Sequence, residues 1–566
     1  MKSLRESAPV ATQQQTVSEI IAAIVPEYTT EVFTVMGNGN AYFLDALTLQ
    51  GNVRLTALRH EAGTVASADS YYRISRKIAC ASTTYGPGFT NALTPLGEAV
   101  CSRTPMVVVA GSQPRTGPRP WDVNQTALTE AMGAVSMTVD ARNPAGSIRA
   151  AFETAVAKRL PVVLNLPYDV ATATVTDADS AADPSDAATY ETPSAPCAST
   201  TQVQWIVDLL KESQRPLILA GRGARYAAED LGSLADKIGA LTVSSAPARG
   251  TFAGREWDLG VCGGFASDAS SELIKQADVV LSVGVSLNQF TTAFGFQFAK
   301  DAKIIQIDLN EQPTNPLVTT FVSADASETV RAILGTLPSK PAPSTPWGGV
   351  AEHARDSTIN FQRDSGSGTA LDGRLDPRTA MIRLNEILPK NRQVISDGGH
   401  FIGWSSYYFD LPTPDSLVMV GTQYQSIGLG LPSAAGAAIA RPDRTHVVVA
   451  GDGGAIMGLA DLDALVRTSR SAAVLIFNDG CYGAEVHQYG SQGLDTGIME
   501  IEQADFAKLA EGFGATGAVI HTMEDLDLVD QWVKAGAKGT FVIDLRISRN
   551  VVAPYIEEIV ELTLKK

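Results

Sequence analysis

Residues 451–483 read GDGGAIMGLADLDALVRTSRSAAVLIFNDGCYG. They follow Val447, Val448, Val449 and Ala450, a continuous β-branched run that reads as a buried strand. Gly451-Asp452-Gly453 therefore stands at the carboxyl end of a strand, where open α/β sheets bind ligands. Ile456, Leu459, Leu462, Leu465 and Val466 recur at helical spacing and predict one amphipathic helix. Val474 to Phe477 reads as the next strand, and it ends in Asn478-Asp479-Gly480. Strand, helix and strand in that order place both acidic turns on one rim of a parallel sheet. Two carboxylates, an amide and free backbone carbonyls form a hard-oxygen set suited to Mg²⁺. The glycines let phosphate approach the backbone, and a helix starting near Gly454 offers its amides to an anion. Either turn alone is an ordinary strand ending; the pair, about two dozen residues apart, points to a cation-held diphosphate.

The same texture recurs along the chain. Met106 to Gly111 and Pro216 to Gly221 are further β-branched runs ending in glycine, with helical stretches between such runs. Segments rich in Ala, Ser, Pro and Asp read as linkers. The expected organisation is α/β, with three doubly wound parallel-sheet domains: 1–175, 201–338 and 376–566, joined by linkers at 176–200 and 339–375. VVVAG occurs at 107–111 and again at 447–451, which either two related domains or chance would explain.

The 566 residues allow about two to four domains. A hydrophobic content of 45% with 19% charged residues fits a globular protein with ample core. The net charge of −17 argues against nucleic acid and anionic membrane as partners. The five cysteines and six histidines show no paired spacing, so neither a disulfide framework nor a zinc site is expected, and a reducing, cytoplasmic setting fits. The start, MKSLRESAPVATQQQ, has no apolar signal core, and no apolar run is long enough to span a membrane.

The GDG turn followed by the N-D turn resembles the diphosphate anchor of thiamine diphosphate-dependent enzymes, nearest to the group of acetolactate synthase, pyruvate oxidase and their lyase relatives. The resemblance runs through nearly the whole chain and implies pyrimidine-binding, central and diphosphate-binding domains in that order. It implies Mg²⁺ held by Asp452, Asp479 and the carbonyl of Cys481, with Asn478 as a fallback. Asp479 departs from the family's usual asparagine. Leu58-Arg59-His60-Glu61 resembles the R-H-E motif, so Glu61 is expected, in a buried setting, to hydrogen-bond the cofactor's aminopyrimidine and start its deprotonation. Thr84 to Asn91 resembles the loop T-S-G-P-G-x-T-N, with Phe89 at a position where the family is often smaller. Met36 to Asn40 resembles the glycine loop facing the reactive carbon, and Gln125 falls where the synthases carry a glutamine near the substrate. Phe89, Asn38 and Gln125 are thus expected beside Glu61 at the catalytic centre.

On the diphosphate side the resemblance assigns Gly451, Gly453, Gly454, Tyr482 and Gly483. It adds Ser396-Asp397-Gly398-Gly399-His400-Phe401, with Gly398, Gly399, His400 and Phe401 at the phosphates. Within 421–432 it places Ser426 at the cofactor and Ile427 as the wedge that bends it. Asp397, an acid so close to a phosphate loop, has no account at this level. Glu485 and His487 are read either as general acid/base groups or as a solvated helix edge. In the central segment, Gly221-Arg222-Gly223 and Gln306-Ile307-Asp308 hint at a dinucleotide site, but the fingerprint is incomplete. Gly263 to Ala266 and Ser286 to Phe290 depart from the flavin-binding stretches of acetolactate synthases, so FAD is not expected.

The implied activity is a carboligase or acyl transferase that forms an enamine from a 2-oxo acid by decarboxylation and adds it to a second carbonyl, an aldehyde or ketone. A 2-oxo acid decarboxylase or 2-hydroxyacyl lyase is the alternative on the same scaffold. A non-catalytic regulatory relative and a nicotinamide oxidoreductase are the readings from other classes. The family places its active sites between subunits, which implies a homodimer or homotetramer.

Overall fold

A computed structural model describes residues 14–175, 196–338, 345–349 and 364–564. The sequence tail before residue 14 and most of both expected linkers lie outside them. The chain divides into two compact units, one of Met1–Tyr72 with Arg76–Thr192 and one of Arg73–Ser75 with Pro193–Lys566. Three domains each carry a six-stranded parallel sheet flanked by helices, one in the first unit and two in the second.

The first unit opens with β1 (Gln15–Thr16), which pairs antiparallel with β8 (Thr174–Val175). Its main sheet comprises β2 (Glu31–Thr34), β3 (Arg54–Ala57), β4 (Ala79–Thr83), β5 (Met106–Ser112), β6 (Val135–Thr138) and β7 (Pro161–Pro167). They lie in the order β3-β2-β4-β5-β7-β6. The interior strands β4, β5 and β7 are buried along their whole length, as expected when helices cover both faces.

The second unit begins with a helix at Thr200–Glu212, capped by Ser199 in a reciprocal box with Gln202. The strands that follow are β9 (Pro216–Ala220), β10 (Leu241–Ser244), β11 (Asp258–Val261), β12 (Val279–Val283), β13 (Lys303–Asp308) and β14 (Thr320–Ser323). Their order, β11-β10-β9-β12-β13-β14, is the doubly wound dinucleotide order. The two glycines read as a hint of such a site have a packing reason. A methyl on Gly221 would overlap the Gly284 carbonyl, and one on Gly223 would sit 2.9 Å from Gly284 Cα. The backbone crossing itself demands glycine there.

The last sheet comprises β15 (Arg392–Ser396), β16 (Leu417–Met419), β17 (Thr445–Gly451), β18 (Ser471–Phe477), β19 (Thr516–Ile520) and β20 (Gly539–Leu545). Its order, β16-β15-β17-β18-β20-β19, repeats that of the first sheet strand for strand. The VVVAG pentapeptides nevertheless fall on β5, the fourth strand of its sheet, and β17, the third of its own. The shared order relates the two sheets; the pentapeptides occupy non-equivalent strands and are not its trace.

The single amphipathic helix expected after Gly453 is broken. A short helix at Asp452–Met457 gives way to a 3₁₀ turn at Leu459–Asp461 and a second helix at Leu462–Thr468. Ile456 is exposed, whereas Leu462 and Leu465 are buried. The break falls at Gly458, where a methyl would lie 2.6 Å from Pro432 Cδ and 2.8 Å from the Gly428 carbonyl. The chain segment 428–432 crosses there, and the helix yields to it.

Candidate active site

In the first unit, the segments that follow β2, β3, β4 and β5 are bonded together around the 84–91 loop. Glu61 begins a helix spanning Glu61–Ser75, whose N-cap His60 accepts the Ala62 amide through its side chain. Both Glu61 carboxylate oxygens are engaged. Thr84 Oγ1 donates to Oε1 at 3.1 Å, and Asn91 Nδ2 donates to Oε2 at 3.1 Å. The second glycine of the 84–91 loop follows from this contact. A methyl on Gly88 would overlap Thr84 Oγ1 and come within 2.6 Å of Glu61 Oε1. Glu61 is half-buried in the single chain rather than sealed.

The other catalytic-side candidates take different positions. Asn38 is exposed and donates to the Tyr85 hydroxyl at 3.2 Å. Asn40 is buried and clamps its own loop, accepting from the Gly37 amide at 3.1 Å and donating to the Val35 carbonyl at 2.9 Å. Gln125 is buried, with Oε1 accepting the Gly86 amide at 2.9 Å and Nε2 donating to Asn165 Oδ1 at 3.0 Å. Its amide thus ties the 84–91 loop to Asn165 on β7. Phe89 is only 1% exposed and packs inward, so its size is a core matter.

In the second unit, β17 and β18 are neighbours with Gly451 opposite Phe477. The two acidic turns therefore share one rim, as their spacing requires. They are also bonded: Asp452 Oδ2 accepts the Gly480 amide at 2.9 Å, while Asp452 Oδ1 accepts the Gly453 amide at 2.9 Å. Asp479 Oδ1 accepts the Cys481 amide at 3.1 Å. Both acids are buried, at 3% and 5% exposure. Burial, and then the Asp479 charge, push the Asp452 carboxyl up to about 7, and burial raises Asp479 as well. Arg549 is the cation acting on Asp479, yet it donates to that residue's backbone carbonyl at 3.2 Å and pairs with Glu500. Two buried carboxylates without a dedicated cation suit a divalent metal. No group of three or more His, Cys, Asp or Glu side chains set for a metal occurs among the described residues, so backbone and phosphate oxygens would have to complete the shell. Asn478 turns its amide nitrogen toward Asp544 Oδ1 at 2.8 Å.

These turns line a cavity of about 730 Å³. Gly451, Asp452, Gly453, Gly454, Asp479, Cys481 and Tyr482 contribute one side of it. Gly398, Gly399, His400 and Phe401 contribute another, with Ser426 and Ile427. The glycines keep the cradle open: a methyl on Gly453 would reach 2.7 Å from the Tyr482 ring, and one on Gly398 would reach 2.9 Å from the Ser426 carbonyl. Gly483 does not line the cavity; a methyl there would sit 3.0 Å from Asp479 Oδ2. Ile427 is 36% exposed, unusual for an isoleucine next to a helix start.

The structure also accounts for Asp397. Its carboxylate accepts the amides of Gly398 at 2.8 Å, Gly428 at 3.0 Å and Leu429 at 3.4 Å. It thereby caps the approach to the helix Gly430–Ala440 and ties the 398 loop to the 428 loop. Burial raises its carboxyl to about 6, with the surrounding amides pulling against that rise. His400 accepts the Ala553 amide on Nε2 at 2.8 Å, which leaves the proton of the neutral ring on Nδ1. Burial, and then His487, hold its imidazolium form down to about 3. Glu485 lines the cavity, whereas His487 packs against the His400 ring, centroids 4.6 Å apart.

Sequence reasoning passed over Asn91 and Tyr555. Asn91 ended the quoted loop and holds Glu61; its signal was the position three residues after Gly88. Tyr555 donates to the Gly399 carbonyl at 2.8 Å from the C-terminal helix Pro554–Leu564, and no local pattern marks it.

Three family models match the chain. The N-terminal thiamine pyrophosphate-binding domain matches residues 15–137, the central domain 203–333 and the C-terminal thiamine pyrophosphate-binding domain 397–545. Acetolactate synthase 1 of Nicotiana tabacum is 24% identical over 96% of this chain and 82% of its own length. Sulfoacetaldehyde acetyltransferase of Alcaligenes xylosoxydans xylosoxydans is 26% identical over 93% of this chain and 92% of its own. Among solved structures, the thiamine diphosphate-dependent 4-hydroxybenzoylformate decarboxylase of Rhodococcus jostii RHA1 shares the fold. Its TM-score is 0.79 at 22% identity, covering 94% of this chain and 99% of that one. With all three domain models matched in order and two acid turns bonded on one sheet rim, the chain belongs to the thiamine diphosphate-dependent enzyme family.

Proposed function

We propose that the protein is a carboligase or acyl transferase that uses thiamine diphosphate and Mg²⁺ to act on a 2-oxo acid and a second carbonyl compound. The observation that carries this reading is the bond from the Gly480 amide to Asp452, which makes one buried dicarboxylate rim of two turns. Asp452, Asp479 and the Cys481 carbonyl would hold the cation. The Gly454 amide and the neutral His400 would face the diphosphate, and Ser426 with Ile427 would meet the rings. When bound, the cofactor supplies a carbanion that adds to the substrate carbonyl.

The chain's own residues handle protons and orientation. Glu61 accepts two hydrogen bonds, from Thr84 and Asn91, which fix the direction in which its carboxyl can exchange a proton. Gln125 fixes the loop that carries Thr84. Glu485 lines the cavity and would exchange a proton with an acceptor carbonyl.

Active sites between subunits of a homodimer or homotetramer belong to this reading. So does a central domain without flavin. A decarboxylase or lyase remains the second reading, supported by the likeness of fold to the decarboxylase above. Product analysis on a 2-oxo acid with and without an added aldehyde separates the two. A coupled hydroxy ketone supports carboligation, and free aldehyde in both conditions supports the lyase.

A further inference from the structure

Consecutive residues of the 84–91 loop each hold a different segment of the first unit. Thr84 donates to Glu61 Oε1 at 3.1 Å, the Tyr85 hydroxyl accepts from Asn38 Nδ2 at 3.2 Å, and the Gly86 amide donates to Gln125 Oε1 at 2.9 Å. The direction of the Glu61 carboxylate therefore depends on where this tripeptide sits. Hydrogen bonds fix its two ends. The Tyr85 ring between them is met by a cation.

Arg119 places its guanidinium 4.5 Å from the Tyr85 ring centre, 4.8 Å from that of Tyr168 and 5.6 Å from that of Trp121. Asp122 sets its position: Arg119 Nε and Nη2 each donate to a different carboxylate oxygen at 2.9 Å, and the Arg119 amide donates to Oδ2 at 2.8 Å. A planar fork of this kind needs arginine. The Asp122 side chain is 2% exposed, so solvent does little to screen the pair. Trp121 lies between the two in sequence, and its carbonyl presses on the loop from the backbone side: a methyl on Gly86 would stand 2.8 Å from it. Tyr85 in turn fills the space beside Gly39, where a methyl would stand 3.1 Å from its ring. Trp121 and Tyr168 nevertheless remain 54% and 40% exposed. A cluster held by apolar burial would hide those rings; this one is held by the cation and its carboxylate.

We propose that Arg119 is a positioning residue: tethered by Asp122, it holds the Tyr85 ring, and through it keeps Thr84 on Glu61 and the Asn38 loop in place. The inference rests on the reading of Glu61 as the group that exchanges a proton with the cofactor, and it adds the device that fixes the loop beside that group.

The test uses the full chain and two readouts. The first needs no cofactor: amide hydrogen exchange in peptides covering 36–40, 84–91 and 113–124. Arg119→Ala is expected to raise exchange roughly tenfold in 36–40 and 84–91. A rise confined to 113–124, or none, overturns the inference. The second readout, on chain loaded with thiamine diphosphate and Mg²⁺, is the exchange rate of the cofactor's thiazolium proton. Arg119→Ala and Tyr85→Ala each slow it roughly tenfold, with cofactor affinity unchanged by titration. The double variant is no slower than the slower single variant, because both changes remove one contact. Additive losses overturn the inference, since Arg119 would then act by another route. Tyr85→Phe, which keeps the ring under the cation, loses less. Arg119→Lys keeps the charge without the fork and shows a smaller loss of the same kind; it carries the test if the alanine chain does not fold. A wild-type chain that binds no thiamine diphosphate overturns the underlying reading, whereas unaltered amide exchange in Arg119→Ala overturns this inference alone.

Discussion

Asp452 accepts the backbone amide of Gly480 at 2.9 Å, joining two turns that lie on adjacent strands. The bond fixes the Asp452 carboxylate next to Asp479 before any ligand arrives. The arrangement is costly in the empty protein, because two buried acids repel and neither is fully neutralised. A divalent cation held there, as proposed, would relieve that cost.

Asp479→Asn keeps an oxygen acceptor for the Cys481 amide and removes one buried charge. The cation-free protein is expected to gain about 1 kcal/mol of stability, while the stabilisation produced by Mg²⁺ shrinks. Thermal melts with and without Mg²⁺ and thiamine diphosphate check both signs. A variant that melts lower when empty would contradict the repulsion argument.

Gly88→Ala places a methyl onto Thr84 Oγ1 and within 2.6 Å of Glu61 Oε1. Overpacking of this kind costs about 1–3 kcal/mol. The displaced Glu61 should also lower turnover by roughly 100-fold or more. Paired measurements of melting temperature and kcat would show a loss of rate larger than the loss of folded protein explains.

Asp397→Ala leaves the Gly398, Gly428 and Leu429 amides without their acceptor. Hydrogen bonds to a charged group are worth about 1.5–3 kcal/mol, so denaturant unfolding should show a loss of that size. Asp397→Asn, which retains an oxygen acceptor, should lose less.

His446 is 1% exposed, and its Nε2 donates to the Arg441 carbonyl at 3.1 Å. Burial lowers its pKa from 6.5 to about 4. Below 6.5 the unfolded chain binds a proton that the folded ring refuses, so this contribution is intact above 6.5 and is lost as pH falls toward 4. The loss amounts to about 3 kcal/mol at most. His446→Gln should flatten the slope of stability against pH in that window, read from urea melts at successive pH values.

The parts of the site legible in the sequence are those written locally. The turn after β17 and the turn after β18 announced themselves because a strand end, an acid and a glycine sit side by side. Asp397 was opaque because its partners, Gly428 and Leu429, lie more than thirty residues on, and only the fold brings them to one carboxylate. Gln125 was expected beside the substrate; its two bonds, to Gly86 and Asn165, are tertiary and lay outside any local pattern. The break at Gly458 escaped the helical pattern because Pro432, which forces it, belongs to another segment. The parallel order of all three sheets followed from apolar strands alternating with helices; the identity of strand order in the first and last sheets did not.

The most direct test of the account is calorimetric titration of chelator-stripped protein with thiamine diphosphate, with and without Mg²⁺, on wild type and Glu61→Ala. The account predicts binding on the order of micromolar that requires Mg²⁺. It also predicts a Glu61→Ala variant that still binds the cofactor while failing to exchange the cofactor's thiazolium proton. Absence of binding under every condition would contradict it, and would leave the bonded turns of Asp452 and Asp479 as structure without that function.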